Sequence, residues 1–551
     1  MASEKILGID LGTTNSGMAI VEAGDPQMLQ NNDGQRLTPS VVHYDEDGNA
    51  LVGRQAVDRE PAEPDQVIRE IKRHMGEEDY TVKVAGNEVT PTDVSAEILK
   101  KLKADAEAYL GDDVEEAVVT VPAYFTINQT NATKEATEQA GFETTHLLNE
   151  PTAAALAYGN GKDLDETLLV YDFGGGTLDI SLIDVADDEY RVLATDGDNR
   201  LGGADFTGAM MELLADRHED EHGESLLEDE DGNRRDEIWA NLRSEAEETK
   251  IALSSNEEAE ALAPFLGQIQ GDIVSMDETV TRSTFEDATA ELQDRAIDPV
   301  ETVLDKADMS ADDIDNVLLV GGSTRIPVIQ EQLEEYVGVE PTMTLDPDKI
   351  VSQGAAVYAQ REIESGYRCP ICGEEYDALL TLNEHYDDRH SDTDEEEYEC
   401  SHCDQTFESE DERQRHQATT HAGGSDDEES ITERDSGITD IISHSLGTKL
   451  EDGSMAVLIE QGTNIEDAEA TDLFTTTGDN QTVIPIGVHQ GESDVATENE
   501  KIGEVRLTDI PPRPAGEPRI EITFDYDQDG ILHVEAVDKD SGDEVNGEIE
   551  M

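Results

Sequence analysis

Two short segments of this chain follow one pattern, in which an apolar strand ends at an aspartate, a glycine-rich turn with threonine follows, and a second apolar strand returns. The first is residues 6–20 (ILGIDLGTTNSGMAI) and the second is residues 168–183 (LLVYDFGGGTLDISLI). Glycine allows close backbone approach, and successive N–H groups in such a turn form an anion-binding nest. An aspartate at a strand end can hold a hydrated divalent cation. Two such hairpins facing each other predict a clamp for the phosphates and Mg²⁺ of one nucleotide.

A third glycine motif, residues 317–327 (VLLVGGSTRIP), joins an apolar strand to a di-glycine turn and an arginine. This pattern suits an adenosine site, where backbone lies flat against the base and arginine stacks on it. The chain lacks the GxxxxGK[ST] run of P-loop proteins, because its Gly-Lys pair, Gly161 and Lys162, is followed by aspartate. The phosphates are therefore predicted to lie between hairpins.

The order of motifs along the chain resembles that of the seventy-kilodalton heat-shock chaperones of the DnaK type. The matching segments are GIDLGTTNSG (8–17), IKRHMG (71–76), VTVPAYF (119–125), LLNEPTAAALAYG (147–159), VYDFGGGTLDIS (170–181), GDNRLGGADF (197–206), LLVGGSTRIP (318–327), FTTTGDNQT (474–482), HQGE (489–492) and FDYDQDGILHVEAVDKDSG (524–542). The resemblance implies an ATP-dependent molecular chaperone that hydrolyses ATP and binds exposed, extended hydrophobic segments of unfolded proteins.

Charge dominates the composition of the chain. Its 551 residues include 131 Asp and Glu against 37 Lys and Arg, a formal charge of −94, with 4% aromatic residues. Such values alone suggest disorder, but the strongly apolar strands indicate a globular protein with an acidic surface. That surface repels itself unless concentrated cations screen it, and it disfavours nucleic acid and anionic membranes as partners. We therefore expect a halophilic protein.

The four cysteines form two CxxC pairs, each followed by two histidines. Both segments fit the Cys₂His₂ zinc finger, in which a CxxC hairpin and two histidines on one helix bind Zn²⁺ tetrahedrally. The predicted ligands are Cys369, Cys372, His385 and His390 in the first finger and Cys400, Cys403, His416 and His421 in the second. The finger segments are acidic, so a structural or protein-contact insert is favoured over a DNA-binding one. Paired CxxC motifs and the lack of a signal peptide indicate the cytoplasm.

The resemblance implies a multidomain architecture. It comprises an α/β actin-like ATPase domain (1–364), two small ββα zinc fingers (365–422), an acidic linker (423–439) and an all-β peptide-binding sandwich (440–551), with no helical lid after it. The last helix of the ATPase domain is predicted at 347–363, with Pro347 in the first turn, where proline is favoured.

Site residues follow from the resemblance by position. Asp10 and Asp172 would hold Mg²⁺ through water, while Lys72, Glu150 and Thr177 would position the attacking water and balance charge on the γ-phosphate. The nucleotide-binding positions are Gly12, Thr13, Thr14, Asn15, Gly174, Gly175, Gly176, Gly202, Gly203, Glu247, Lys250, Ser254, Gly321, Gly322, Ser323, Arg325 and Asp348. The implied cofactors are ATP or ADP, Mg²⁺, two Zn²⁺ and K⁺.

The positions that match the peptide pocket are Phe474, Ile484, Ile486 and Ile520. At their spacing, these residues are equally suited to the core of the sandwich. Besides unfolded or extended polypeptide clients, the resemblance implies a J-domain co-chaperone and a GrpE-type nucleotide-exchange factor as partners.

Three departures from the family pattern leave an alternative open. Thr130 stands where an arginine that partners Pro122 is expected, His146 replaces a basic residue used for J-domain docking, and the linker at 437–440 lacks the usual leucines. These changes predict weakened coupling between domains. The alternative is a nucleotide-binding holdase or zinc-dependent adaptor without productive ATPase cycling. A sugar-kinase-like enzyme is disfavoured, because the C-terminal half offers a peptide sandwich instead of a small-molecule site.

Overall fold

The computed structural model describes residues 5–363 and 437–549 with short gaps, and four two-residue strands between 367 and 407. The gaps are at 78, 163, 187–188, 230, 343–344, 509, 527–531 and 541–543. The chain divides into a main unit, residues 1–359 and 437–551, and an insert unit, residues 360–436. The predicted domain limits at 364, 422 and 439 stay predictions. In the described part of the chain, each helix is too short or too polar to cross a membrane.

The first lobe of the main unit is a mixed sheet flanked by helices. Its elements are β1 (Leu7–Asp10), β2 (Asn15–Glu22), β3 (Asp25–Met28), β4 (Leu37–Pro39), β5 (Val41–Tyr44), β6 (Ala50–Val52), α1 (Arg54–Val57), β7 (Val67–Arg69), β8 (Val82–Val84), β9 (Asn87–Val89), α2 (Pro91–Leu110), β10 (Glu116–Val121), α3 (Ile127–Ala140), β11 (Thr144–Asn149) and α4 (Glu150–Gly159), with 3₁₀ turns at Pro64–Gln66 and Ile71–His74. The main sheet has the order β11-β10-β1-β2-β3, with β4 beside β2. The predicted hairpin is β1–β2, which pair antiparallel.

The second lobe repeats this arrangement around the second hairpin. Its elements are β12 (Asp165–Phe173), β13 (Leu178–Ala186), β14 (Glu189–Asp198), α5 (Gly203–His222), α6 (Asp236–Leu253), β15 (Glu258–Ile269), β16 (Asp272–Thr281), α7 (Arg282–Ala288), α8 (Ala290–Lys306), β17 (Asn316–Val320) and α9 (Pro327–Val337), with 3₁₀ turns at Ala311–Asp313 and Gly322–Arg325. The chain then returns to the first lobe, where α10 (Ile350–Tyr358) packs on β1 and β2 and continues into a π-helix at Ala359–Ile363. The strand β12 is an inner strand of its sheet and lies between β17 and β13. An inner strand is buried on both faces, which explains its continuous apolar run.

Local sequence signals set where several helices begin and end. Thr90 caps α2, because its hydroxyl accepts the N–H of Asp93 at 3.1 Å and Asp93 accepts the N–H of Thr90 at 2.9 Å. Pro91 occupies the first turn, and Gly111 ends the helix in the left-handed region with φ of 74°. These signals fix α2 before any tertiary contact is considered.

The last helix of the ATPase part begins later than predicted. α10 starts at Ile350, and the carbonyl of Asp346 accepts the N–H groups of Lys349 and Ile350 in the turn before it, at 2.9 and 3.1 Å. Pro347 lies within this turn, and its carbonyl accepts the N–H of Gly321 at 2.9 Å. Pro347 therefore supports the third glycine motif instead of starting the helix.

In the insert unit, four short strands form two hairpins. They are β18 (Tyr367–Arg368), β19 (Glu375–Tyr376), β20 (Tyr398–Glu399) and β21 (Thr406–Phe407). β18 pairs antiparallel with β19, and β20 with β21. Each hairpin brackets one of the two CxxC pairs in the sequence.

The C-terminal part of the main unit consists of a linker strand and two antiparallel sheets. Its strands are β22 (Ile438–Thr439), β23 (Leu446–Lys449), β24 (Met455–Ile459), β25 (Glu469–Phe474), β26 (Ile484–Gln490), β27 (Glu500–Leu507), β28 (Ile520–Tyr526), β29 (Leu532–Asp538) and β30 (Glu544–Ile549). The sheets have the orders β24-β23-β26-β27 and β25-β28-β29-β30 and share one core. In β28, Ile520, Ile522 and Phe524 alternate inward, as expected for sheets covered on one face.

Candidate active site

The turns of the two predicted hairpins lie against each other in a cleft between the lobes. A Cβ atom built on Gly175 would lie 1.9 Å from Oγ1 of Thr14, and one on Gly176 would lie 2.6 Å from Cγ2 of Thr13. A Cβ on Gly202, just before α5, would lie 2.4 Å from the backbone of Gly175. Glycine is therefore required at these positions by the close approach of the two turns.

The cleft encloses a cavity of about 640 Å³, within the usual range for small-molecule sites. Most of the predicted catalytic and nucleotide-binding residues line it, namely Asp10, Gly12, Thr13, Thr14, Asn15, Lys72, Glu150, Asp172, Gly174, Gly175, Thr177, Gly203, Glu247, Lys250, Ser254, Gly321, Gly322, Ser323, Arg325 and Asp348. Gly176 and Gly202 instead pack directly against residues of the lining, Thr13 and Gly175. The roles of all these residues toward a nucleotide stay predictions.

A buried lysine–carboxylate pair lies at the floor of the cavity. Nζ of Lys72 donates to Oε1 of Glu150 at 2.7 Å, and both side chains are buried. Lys72 comes from the 3₁₀ turn at Ile71–His74, and Glu150 is the first residue of α4. Asp10 at the end of β1 and Asp172 near the end of β12 line the same cavity. Lys72 therefore shares the floor with three carboxylates.

The carboxylates at the floor are crowded and poorly solvated. Burial, with the charge of Glu150 second, raises the pKa of Asp10 to about 7. The same two causes raise the pKa of Asp172 well above its ordinary value. A divalent cation relieves such crowding, and Mg²⁺ prefers oxygen ligands of this kind. The residues present therefore fit the Mg²⁺ that the sequence implies.

Asp179 is fully buried behind this floor, close enough to Glu150 and Lys72 for their charges to act on it, although the sequence analysis did not single it out. Burial, and then the charge of Glu150, raise the pKa of Asp179 to about 7. Its Oδ1 accepts the N–H of Tyr124 at 3.0 Å, while Oδ2 is buried without a hydrogen-bond partner among the described residues. A signal was present in the sequence, because Asp179 interrupts the apolar strand that follows the second turn.

The opposite wall of the cleft contains the third glycine motif and α6. Ser323 donates from Oγ to the carbonyl of Gly174 at 2.7 Å, which joins the third motif to the second turn. Lys250 of α6 donates from Nζ to the carbonyl of Gly203 at 2.9 Å, and burial lowers its pKa. Ile251, which the sequence analysis missed, also lines the cavity and is 59% exposed. Its apolar surface is available to a flat base.

Arg325 was expected to stack on the base. In the structure its guanidinium donates to Asp346 at 2.7 Å and to Asp348 at 2.8 Å. This pairing fixes the plane of the guanidinium at the edge of the cavity. It also connects Arg325 to Asp348, another predicted nucleotide-binding residue.

Two ion pairs that the sequence did not reveal join the lobes. Arg243 of α6 pairs with Glu70, which precedes the Ile71–His74 turn, and both residues line the cavity. Arg73 pairs with Asp205 of α5 at 3.2 Å. We call these two pairs the cleft latch, because each one links a residue of the first lobe to a helix of the second.

The four predicted peptide-pocket residues divide into two groups. Ile486 and Ile520 are fully buried in the core that the two C-terminal sheets share. Phe474 and Ile484 are half-buried against that core. Ile486 and Ile520 therefore lie in the core, which is one of the two interpretations that the sequence left open. Of the four residues, only Phe474 and Ile484 keep exposed surface.

The eight predicted zinc ligands lie outside the described residues. The bracketing hairpins β18–β19 and β20–β21 are what the sequence predicts for the start of each finger. Within the described residues, no cluster of three or more His, Cys, Asp or Glu suited to a metal ion was found. The zinc sites therefore stay predictions.

The linker strand attaches the sandwich to the second lobe. β22 pairs in parallel with β14, and the N–H of Tyr190 donates to the carbonyl of Gly437 at 2.5 Å. Asp440 follows, and its Oδ2 accepts from Nδ2 of Asn149 at 2.6 Å and from Oγ1 of Thr152 at 3.3 Å. Burial raises the pKa of Asp440. The linker is thus docked beside α4, despite having no leucines.

A second set of contacts joins the sandwich to the start of α3. The N–H of Ile127 donates to Oε1 of Gln490 at 2.9 Å, and Nδ2 of Asn128 donates to Oε1 of Glu500 at 2.6 Å. The side chain of Ile127 is buried in the core of the sandwich. The two parts of the main unit therefore share both polar and apolar contacts.

Comparison with known proteins agrees with this geometry, which defines a two-lobed nucleotide-binding protein carrying a β-sheet domain. The family model of the Hsp70 protein matches residues 6–368 and 417–551, and that of the C2H2-type zinc finger matches residues 398–421. The chaperone protein DnaK of two strains of Halobacterium salinarum, R1 and NRC-1, is 44% identical over 542 residues, which cover 98% of this chain and 74% of the relative.

The chain belongs to the Hsp70 family. It is an ATP-dependent molecular chaperone, and it hydrolyses ATP. The relatives come from a halophile, which agrees with the halophilic protein expected from a charge of −94. The zinc-finger match covers the second of the two fingers predicted from the sequence.

Proposed function

We propose that the buried pair of Lys72 and Glu150 hydrolyses ATP in the cleft and that the docked linker transmits the nucleotide state to the sandwich. One observation carries this proposal. Asn149, the residue before Glu150, donates to Asp440 of the linker at 2.6 Å. A change in the position of Glu150 on nucleotide binding would therefore act on the linker through a single peptide unit.

The residues at the floor divide the work of phosphoryl transfer, which depends mostly on positioning and electrostatics. Asp10 and Asp172 would hold Mg²⁺ through water, and the cation would neutralise phosphate charge. Lys72 would balance the γ-phosphate and, with Glu150, orient the attacking water. Thr177, in the second turn, would help to position that water. The K⁺ that the resemblance implies would be a second, monovalent cation near the phosphates.

The sandwich would bind extended apolar segments of unfolded proteins. Edge strands can add an extended peptide by main-chain hydrogen bonds, and apolar pockets can take alternate side chains. Among the predicted pocket residues, the half-buried Phe474 and Ile484 are best placed to touch a client. Clients would then be selected by apolar side chains in an extended conformation.

The co-chaperones implied by the family are a J-domain protein and a GrpE-type exchange factor. At the site where a basic residue was expected, Nε2 of His146 lies 2.9 Å from Oε1 of Glu116. The imidazole of His146 can donate a hydrogen bond there, but it lacks the permanent charge of lysine or arginine. We propose that J-domain docking is retained but weaker than in relatives with lysine or arginine there.

The insert unit would be two ββα zinc fingers that contact proteins. Between residues 366 and 423 the sequence is strongly acidic, so duplex DNA would be repelled. The paired CxxC motifs support a reducing, cytoplasmic location. A role in recruiting clients or regulating the ATPase suits an insert placed between the last helix of the ATPase part and the linker.

The alternative is a holdase or zinc-dependent adaptor without productive cycling. It rests on Thr130, on His146 and on the lack of leucines in the linker, which together remove expected charges and apolar contacts. The docked linker strand and the bond between Asn149 and Asp440 favour coupling instead.

The deciding experiment is fluorescence anisotropy of a labelled, extended apolar peptide with the full chain in concentrated KCl with Zn²⁺. Binding is compared in ATP·Mg²⁺ and in ADP·Mg²⁺. The coupled chaperone should bind the peptide at least tenfold more weakly, or exchange it faster, in ATP. Equal binding in both nucleotides would show a decoupled holdase. Replacement of Lys72 should leave peptide binding intact and remove turnover.

A further inference from the structure

His444 lies at the junction between the linker and the first sheet of the sandwich, close to the ATPase part. Its ring is buried and meets the ring of Tyr124 edge-on, with centroids 4.3 Å apart and an interplanar angle of 60°. Its Nε2 lies 3.3 Å from the carbonyl oxygen of Tyr124. In the tautomer with a proton on Nε2, His444 therefore donates to Tyr124.

Tyr124 contacts the carboxylate behind the catalytic floor through the same stretch of backbone. Its N–H donates to Oδ1 of Asp179 at 3.0 Å, and its carbonyl also accepts Nδ2 of Asn199 at 3.0 Å. One residue thus holds the buried carboxylate behind the floor on one side and the histidine of the sandwich on the other. Displacement of His444 would release one of the groups that fix Tyr124.

The acids near His444 are already engaged by other partners. Glu492, in the loop after β26, accepts the N–H and the hydroxyl of Ser445, both at 2.8 Å. Asp196 of β14 pairs with Lys306 at 3.5 Å and accepts the hydroxyl of Tyr124. Lys306, at the end of α8, adds a positive charge that opposes protonation of the ring. The charges of Glu492 and Asp196 favour a protonated His444, but burial is the larger effect and disfavours it.

We propose that His444 is a positioning residue that couples the docked sandwich to Tyr124 and the catalytic floor, and that protonation of its ring undocks the sandwich. This inference rests on the proposed function, because it names the contact through which docking is regulated. A charged imidazole loses hydration when it is buried, and here that loss outweighs the attraction of the two nearby acids, so the docked state favours the neutral ring.

The sign of the pH effect follows from the burial of the ring. Burial lowers the pKa of His444 below its ordinary value near 6.5. Docking is then fully favoured above the pKa of the undocked ring and is lost as the pH falls through the docked pKa. Asp440 and Glu500 at the same interface act oppositely, because burial raises the pKa of each. Substitution of His444 alone separates its effect on docking from the effects of Asp440 and Glu500.

The test measures two properties of the full chain between pH 5.5 and 8.0, in concentrated KCl with Zn²⁺ and ATP·Mg²⁺. The first is the anisotropy of the labelled apolar peptide, which reports the effect of ATP on affinity. The second is cleavage by thermolysin at the linker, which reports docking directly. The variants are His444→Gln, which keeps a donor for the carbonyl of Tyr124, and His444→Leu, which is apolar. His533→Gln on β29 is the histidine control.

In the native chain and in His533→Gln, linker cleavage should rise as the pH drops below the ordinary histidine pKa near 6.5. Over the same pH range, the ratio of peptide affinities in ADP and in ATP should fall. Because one proton binds, this ratio can change by at most about tenfold for each pH unit. The rise in linker cleavage at low pH should be absent in His444→Gln and in His444→Leu, where Asp440 and Glu500 alone remain to titrate. His444→Leu should also show slower ATP turnover at pH 7.5 than His444→Gln. Unchanged nucleotide binding shows that each variant is folded.

Parallel pH profiles of linker cleavage in the native chain and in both His444 variants would overturn the inference. If the native linker responds to pH through His444 while ATP leaves peptide affinity unchanged, the inference stands and the proposed coupling to clients fails. Different results therefore contradict the further inference and the proposed function.

Discussion

Asn149 donates from Nδ2 to Oδ2 of Asp440 at 2.6 Å, and the next residue, Glu150, accepts Nζ of Lys72 at 2.7 Å. Asn149 occupies the N-cap position of α4, where asparagine often accepts a backbone N–H. Here its side chain makes no such cap bond and instead reaches the linker. Two neighbouring residues thus contact the catalytic lysine and the linker.

Removing the charge of Asp440 should uncouple the domains. Asp440→Asn keeps the shape but loses a charge-assisted hydrogen bond, which contributes about 1.5–3 kcal/mol. We expect the ATP effect on peptide affinity to fall about tenfold or more, while ATP binding is retained. Asn149→Ala should have a similar effect, and the double variant should add little. Additive effects of the two substitutions would show that the pair does not act as a unit.

Lys72→Ala should abolish most hydrolysis while leaving nucleotide binding. The substitution removes the buried cation that shares the floor with three carboxylates, and loss of one preorganised group typically costs about 10²–10³ in rate. Single-turnover hydrolysis of ATP measures the effect. Lys83→Ala is the matched control, because Lys83 pairs with Glu88 on the exposed surface. Equal rates of ATP hydrolysis by the two variants would show that Lys72 takes no part in the reaction.

The pH dependence of unfolding should report Asp179. Its pKa is raised to about 7, so the stabilising protonated form is fully present below the unfolded pKa and is lost as the pH rises toward 7. Nucleotide-free protein without Mg²⁺ should therefore lose stability between about pH 4 and 7. Asp179→Asn keeps the oxygen that accepts the N–H of Tyr124 and should be more stable at pH 8, by up to about 3 kcal/mol.

Thermal unfolding across that pH range measures the effect. Asp184→Asn, on the same strand and paired with Arg191 at the surface, is the control and should follow the native profile. Identical profiles for Asp179→Asn and the native chain would contradict the assignment. Chelators are avoided, since they would also remove predicted zinc.

The cleft latch should slow the release of ADP. Arg243→Ala removes the pair with Glu70 and should speed release by roughly two- to fivefold, the range for a partly exposed ion pair. Added KCl should speed release in the native chain and have less effect in the variant. Trp239 gives the signal, since it is the single tryptophan and lies with its ring 5.9 Å from the guanidinium carbon of Arg243.

Arg234→Ala is the matched control for the latch. Arg234 lies 4.8 Å from the same ring but pairs with Asp236, at the start of α6. Its loss should alter the fluorescence baseline without changing the rate of ADP release. Equal rates in Arg243→Ala and the native chain would show that the latch does not gate the cleft.

The amount of bound zinc should decrease as the cysteines are replaced. We expect two equivalents of Zn²⁺ in the purified chain, measured by elemental analysis. Replacement of Cys369 and Cys372 by serine should leave one equivalent, as should replacement of Cys400 and Cys403. Replacement of all four should leave none. Zinc retained in the fourfold variant would refute the finger assignment.

Structural features that depend on residues close together in the chain could be predicted from the sequence. The two hairpin turns depend on residues within about ten positions of each other, and glycine at Gly175 is visible because no other residue permits the contact with Thr14. For Ile486 and Ile520 the sequence left two interpretations open, the peptide pocket and the core of the sandwich. Alternation along a strand indicates which face is buried, but it does not show what covers that face.

The sequence by itself determined the family, the two phosphate turns and most of the residues that line the cleft, because these depend on short motifs whose backbone geometry glycine and aspartate dictate. Only the tertiary structure decided the pairing of Arg243 with Glu70, of Asn149 with Asp440 and of His444 with Tyr124, residues separated by 173, 291 and 320 positions. Such pairs arise when separate elements are packed together, and an unusual linker sequence gave no sign of them. The physical reason is that hydrogen bonds and burial act over a few ångströms in space, whatever the distance along the chain.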